Sequence, residues 1–161
     1  MFGRRAWDKA PAEPAGVLLA SAGTPFSGAA VRRACELAAG EPVAVLTILK
    51  VYGSSFGLPN PGLLPTRRER DEQYTIVRRA IAGVERRGGT ADGQIAATRS
   101  AGRTIAKVAR RRRVRYVVMD DSVPSGVRRV TEGAVTATVR RRLGGGATLE
   151  LVGPGARISL T

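Results

Sequence analysis

Arg115-Tyr-Val-Val-Met-Asp-Asp-Ser-Val-Pro-Ser-Gly-Val-Arg-Arg-Val-Thr-Glu-Gly133 decides the reading of this chain. Tyr116 to Met119 is apolar, rich in β-branched residues and too short for a helix. It predicts a buried parallel strand that ends in a loop leading to another helix. In open α/β sheets, ligands dock at that strand end. A phosphate cradle there needs backbone N–H groups approached without a Cβ, which glycine supplies. Here Asp120, Asp121 and Val123 occupy the loop instead, so the segment looks like a nucleotide loop with its glycines removed.

The chain on either side repeats the strand-helix alternation. Val17 to Ala20 reads as a first strand, and Gly23-Thr-Pro-Phe-Ser27 as the turn into a helix running to about Ala39. Ala30, Val31, Ala34, Leu37 and Ala38 form the inner stripe of that helix. Val43 to Val51 reads as a second strand, followed by a glycine- and proline-rich loop to Pro65 that could cover a site. Thr66 and Glu69 have capping-box spacing, and Tyr74, Val77, Ile81 and Val84 then recur with helical period until Gly88-Gly89. A weak third strand is expected over residues 91 to 98. Ser100 is the expected cap of a third helix with Ile105, Val108 and Ala109 inside, and Val114 to Met119 is the fourth strand. Val135, Val139 and Leu143 line a fourth helix that Gly144-Gly-Gly146 ends, and Leu149 and Leu151 mark a fifth strand. The fold class that follows is α/β, a single doubly wound five-stranded parallel sheet with helices on both faces.

A chain of 161 residues suits one compact domain that removes roughly 70% of its unfolded surface from water. The expected division is a tail over 1–15, a domain over 16–152 and a second tail over 153–161. No apolar run approaches the roughly 20 residues needed to span a bilayer, and the N-terminus lacks the apolar core of a secretory signal. A single cysteine, Cys35, excludes an internal disulfide and fits a reducing cytoplasm. The chain has no histidine, which removes Ser-His and Cys-His nucleophilic catalysis and His-based zinc sites. No enzymatic activity is expected.

The order of elements, the long loop after the second strand and the run Val117-Val-Met119 to Gly133-Ala-Val135 together resemble the universal stress protein family over residues 15 to 152. Members that bind ATP follow the fourth strand with a Gly-x2-Gly-x9-Gly-Ser/Thr motif. Laid on this chain, the four motif positions are Asp120, Val123, Gly133 and Ala134, of which Gly133 alone matches. The aspartate that ends the first strand in ATP binders falls at Ala22. The position whose backbone addresses adenine falls at Ile48, and Met119 and Val135 flank the phosphate loop. The resemblance thus implies a stress-associated regulatory domain with a degenerate nucleotide site. It also implies a homodimer paired through the fifth strand, about Thr148 to Val152.

Electrostatics agrees with the missing glycines. A carboxylate about 5 Å from a phosphate charge costs on the order of 3 kcal/mol at an effective dielectric near 20, so no cofactor is expected and ATP is disfavoured. The preferred local reading is an Asp-Ser-x-Pro-Ser turn whose side chains cap backbone N–H groups. A magnesium ion between Asp120, Asp121 and a phosphate would reverse the sign and make a nucleotide switch.

Lys and Arg total 27 against 13 Asp and Glu, for a formal charge of +14. In a parallel α/β sheet every helix ends at the edge opposite the ligand-binding strand ends. Arg86, Arg87, Arg110, Arg111, Arg112, Arg113, Arg140, Arg141 and Arg142 therefore gather along one edge. Cations there favour the helix dipoles by about 0.3 to 1 kcal/mol each, and the first reading is a solvated surface. The alternative is an anion-docking protein for nucleic acid or acidic membrane, although few aromatic residues are present for base stacking.

Overall fold

The structure, a computed structural model, describes residues 13–51, 64–121 and 127–153. Val123, nearly all of the loop expected before Pro65 and most of both tails lie outside the described residues. Residues 13–15 are held, contrary to the expectation of a loose tail to residue 15. Ala15 N donates to Arg112 O at 3.0 Å, and Glu13 O accepts from Arg112 Nε.

Nine elements alternate as expected: β1 (Val17–Ser21), α1 (Gly28–Ala38), β2 (Val43–Lys50), α2 (Arg67–Glu85), β3 (Ala91–Thr98), α3 (Ala101–Arg111), β4 (Tyr116–Asp120), α4 (Val127–Leu143) and β5 (Thr148–Val152). The strands form one sheet in the order β3-β2-β1-β4-β5, and every neighbouring pair is parallel. This is the doubly wound architecture. Because β1 and β4 are adjacent while their following helices cover opposite faces, the crevice between their carboxyl ends is the topological switch point.

Alternation along the strands divides the core in two. Leu18, Ala20, Leu46, Ile48, Val117 and Met119 face α3 and α4, packing on Ile105, Ala109, Val139 and Leu143. Val17, Leu19, Val43, Val45 and Val118 face α1 and α2, packing on Val31, Ala34, Val77 and Val84. Each fully buried Val or Leu contributes about 1.5 to 3 kcal/mol, so a slip of one residue in any central strand would exchange the two cores and is strongly disfavoured. Helices α3 and α4 approach closely at Gly102, where an added Cβ would lie 2.8 Å from Thr138 Cβ and 3.1 Å from Val135 O.

The Thr66–Glu69 capping box forms at the start of α2. Ser100 corrects its expectation: it holds the N-cap position of α3 but makes no side-chain cap bond. Thr98 Oγ1 instead accepts from Ser100 N and from Thr104 Oγ1, each at 3.1 Å. The fourth strand begins two residues later than expected, because Val114 N closes the last turn of α3 on Ala109 O.

Candidate functional site: the strand-end cleft

The switch-point crevice is narrow. Ala20, Ser21, Ala22, Thr24, Met119, Asp120, Val135 and Thr136 line a cleft of about 30 Å³, room for a water or two. Four of the residues singled out from sequence, Ala22, Met119, Asp120 and Val135, therefore meet at one place. Ile48 lies in the core on the α3–α4 face, and its carbonyl is covered by the β1–α1 turn. A Cβ at Gly23, which has φ +107°, would sit 3.1 Å from Ile48 O. Only glycine satisfies both the conformation and that approach. Ala134 is exposed on α4, its carbonyl accepting from Thr138 Oγ1 at 2.8 Å. Gly133 lies within α4.

Asp120 does something that its local sequence does not show. Its Oδ2 accepts from Ser27 N at 2.9 Å, and its Oδ1 accepts from Ser27 Oγ. Ser27 is the N-cap of α1, and its Oγ also accepts from Ala30 N at 3.0 Å. A carboxylate thus sits at the positive end of a helix dipole, where an anion is stabilised by about 0.3 to 1 kcal/mol or more. The expected Asp-Ser-x-Pro-Ser turn starts at Asp121 and runs into residues outside the described ones; the bond from Asp120 to Ser27, 93 residues away, is a contact the sequence reading did not foresee. Asp121 continues the ladder, its N donating to Val152 O at 2.8 Å.

The turn beneath is tightly braced. Thr24 N donates to Ser21 Oγ at 2.9 Å, and Gln73 Nε2 on α2 donates to Gly23 O at 3.0 Å. Sequence reading passed over Ser21, Thr24, Ser27 and Gln73. Only Ser27 carried a usable signal, an N-cap residue type directly before an apolar-periodic run.

The family model described as universal stress protein family matches residues 16–143. The chain belongs to the universal stress protein family. Its fold is shared with solved members at low identity. A universal stress protein crystallised in complex with cAMP is 19% identical with a TM-score of 0.61, the match covering 88% of this chain and 98% of that one. One from Archaeoglobus fulgidus is 16% identical with a TM-score of 0.63 over 85% of this chain and 97% of the other. A further Archaeoglobus fulgidus structure, in complex with dAMP, is 14% identical with a TM-score of 0.57 over 85% and 96%. No curated protein sequence matches the chain.

At the opposite edge of this universal stress protein domain the arginines separate into two kinds. Arg86, Arg87, Arg110, Arg111, Arg113, Arg140 and Arg141 are exposed. Arg112 is not available for docking: it is 2% exposed and bonded to Asp92 at 2.8 and 2.6 Å through both terminal nitrogens. Its position in the run explains this, since it shares the inward stripe of α3 with Val108 and Ala109. Arg87 Nη1 donates to Gly83 O at 3.1 Å, and Arg142 keeps a buried Nε with no hydrogen-bond partner among the described residues.

A third charged contact fixes the sheet edge. Arg33 on α1 makes a forked pair with Glu150 on β5 at 2.7 and 2.9 Å. The hydrogen bond to Glu150 holds the guanidinium protonated even more firmly than usual. Glu150 therefore faces α1 while Leu149 and Leu151 pack toward α3 and α4, the alternation expected of this strand. Among the described residues no helix is long and apolar enough to cross a membrane. Burial raises the pKa of the Cys35 thiol, which keeps it protonated.

Proposed function

We propose that this chain is a cytoplasmic binding or regulatory domain of the universal stress protein family, without enzymatic activity, and that it does not take ATP in the way the family's glycine motif provides. The contact between Asp120 and Ser27 carries this reading. A phosphate approaching the β4–α4 loop would meet, at the position of the motif's first glycine, a carboxylate that Ser27 N and Oγ hold in place. Each unit of phosphate charge is repelled by about 3 kcal/mol at 5 Å and a dielectric near 20. The small cleft and the apolar Ala22 support the same reading. Two similar proteins were crystallised with cAMP and dAMP, so adenine nucleotides are the right probes. A thermal-shift series with ATP, AMP and cAMP, each with and without magnesium, is expected to leave the melting temperature unchanged. A saturable rise with ATP in the native chain would overturn the reading. A magnesium-dependent switch through Asp120 and Asp121 would have to use the lone pairs that the Ser27 contacts leave on Asp120, and the magnesium arm of the same series tests it.

A homodimer through β5 is part of the proposal. β5 is an outer strand of the sheet, with one side of its backbone ladder left for a second copy. Light scattering should give twice the 17.0 kDa chain mass, and Leu151→Pro should return it to the monomer; a monomeric native chain removes this part.

Seven exposed arginines along the other edge favour a second reading, weak docking of polyanions. It requires RNA, DNA or anionic-vesicle binding that weakens steeply with salt, and absence of binding at low salt eliminates it.

A further inference from the structure

A half-open groove lies at the edge away from the switch point. Ala109, Arg110, Arg113, Val114, Leu143, Gly146 and Ala147 line about 280 Å³ between the ends of α3 and α4. Ala109, Val114 and Leu143, exposed by 1%, 4% and 6%, are core residues that give the cavity an apolar lining. Arg110 and Arg113 are exposed and form no ion pair with a described residue. Helix ends normally repel anions because they present free carbonyls. Here turns take up four of them: Val108 O accepts from Arg112 N, Ala109 O from Val114 N, Arg110 O from Arg113 N and Leu143 O from Gly146 N.

The backbone at Arg113 singles out its side chain. Helices α2 and α3 end in the same doubly bonded turn. In α2, Gly89 N reaches Val84 O and Gly88 N reaches Glu85 O; in α3, Val114 N reaches Ala109 O and Arg113 N reaches Arg110 O. The left-handed position is Gly88 with φ 78° in one and Arg113 with φ 53° in the other. Glycine is the favoured residue there. An arginine is strained at that position, and nothing in the described packing compensates for it.

We propose that this cavity is a second binding site, for a small molecule with an apolar body and a single oxyanion group, an aryl or short-acyl phosphate or carboxylate. About 280 Å³ open to solvent on one side leaves room for a ring beside Ala109, Val114 and Leu143 with its oxyanion toward the two arginines. The forked donors of Arg110 and Arg113 suit either oxyanion. This site is distinct from the strand-end cleft and stands whether or not that cleft binds nucleotide.

The test is a titration of the full chain with phenyl phosphate and with benzoate at physiological salt, followed by amide NMR shifts, with inorganic phosphate and benzyl alcohol as controls. At least one of the two ring oxyanions is expected to bind more than tenfold tighter than either control, shifting Ala109, Val114 and Ala147. Loss of one charge-assisted contact corresponds to roughly a tenfold weaker affinity. Arg113→Gly should therefore lose about tenfold in affinity while the melting temperature holds or rises, because glycine relieves the backbone. Arg111→Ser removes the same charge outside the cavity and should bind as the native chain does. The proposal is overturned if neither ring oxyanion binds better than inorganic phosphate, or if Arg111→Ser weakens binding as much as Arg113→Gly.

Discussion

The two ends of the sheet solve the same electrostatic problem with opposite charges. Where helices begin, carboxylates meet backbone N–H groups: Asp120 on Ser27 and Glu69 on Thr66. Where helices end, guanidinium groups gather, and Arg87 meets a helical carbonyl at Gly83. Among the described residues the carboxyl end is thereby braced. The amino end has one arginine committed to the interior, Arg112, and others at a cavity rim. Net charge does not distinguish these cases. What matters is whether a charge already has a partner.

The largest expected effect tests that distinction inside a single run of arginines. Asp92→Ala leaves the guanidinium of Arg112, 2% exposed, without its counter-ion. The loss should be about 3 kcal/mol, the low end for a broken buried pair, because Asp92 itself is 38% exposed. Arg111→Ala, at the exposed neighbour, should stay within about 0.5 kcal/mol. Urea unfolding of both variants measures the contrast, and equal losses would erase it.

At the other end, Gly23→Ala should cost about 2 kcal/mol, since it forces a side chain into a φ of +107° and against Ile48 O. A smaller loss by the same denaturation assay would mean that the β1–α1 turn is not the rigid floor of the cleft described above.

The smallest effect is a pH dependence at the start of α2. The Thr66 N–H, and after it the Thr66 hydroxyl, hold the Glu69 carboxylate below its ordinary value of 4.5. A folded value below the unfolded one gives stability that is complete above the unfolded pKa and lost as pH falls through the folded one. The difference in stability between the native chain and Glu69→Gln should accordingly be present near neutrality and vanish in strong acid. A difference independent of pH would mean that the charge of Glu69 contributes nothing beyond its hydrogen bond.

The elements were legible because their causes are local. A β-branched run such as Tyr116 to Met119, a capping box at Thr66 and glycine pairs after helices act over a few residues, so α/β alternation and the two-faced sheet follow from pattern alone. Ser100 shows the limit of this logic. Its residue type and position predicted a cap, yet its side chain makes none, and Thr98, two residues earlier, takes the N–H of Ser100 itself.

The site was legible in outline. The family resemblance set Ala22, Met119, Asp120 and Val135 at one strand end, and the structure brings all four to one cleft. The partner of Asp120 did not follow, because Ser27 is 93 residues away and meets it only when β1 and β4 lie side by side. Arg112 belonged by sequence to an exposed cluster. Its burial depends on Asp92 arriving from β3, which two intervening strands separate from β4 in the sheet.

By itself the sequence determined the family fold, the absence of the nucleotide glycines and the sorting of charge to opposite ends, since these depend on residue type and period. Only the tertiary structure decided which charges are spent. Pairing at about 3 Å requires side chains from distant segments to converge, and no local rule encodes that convergence.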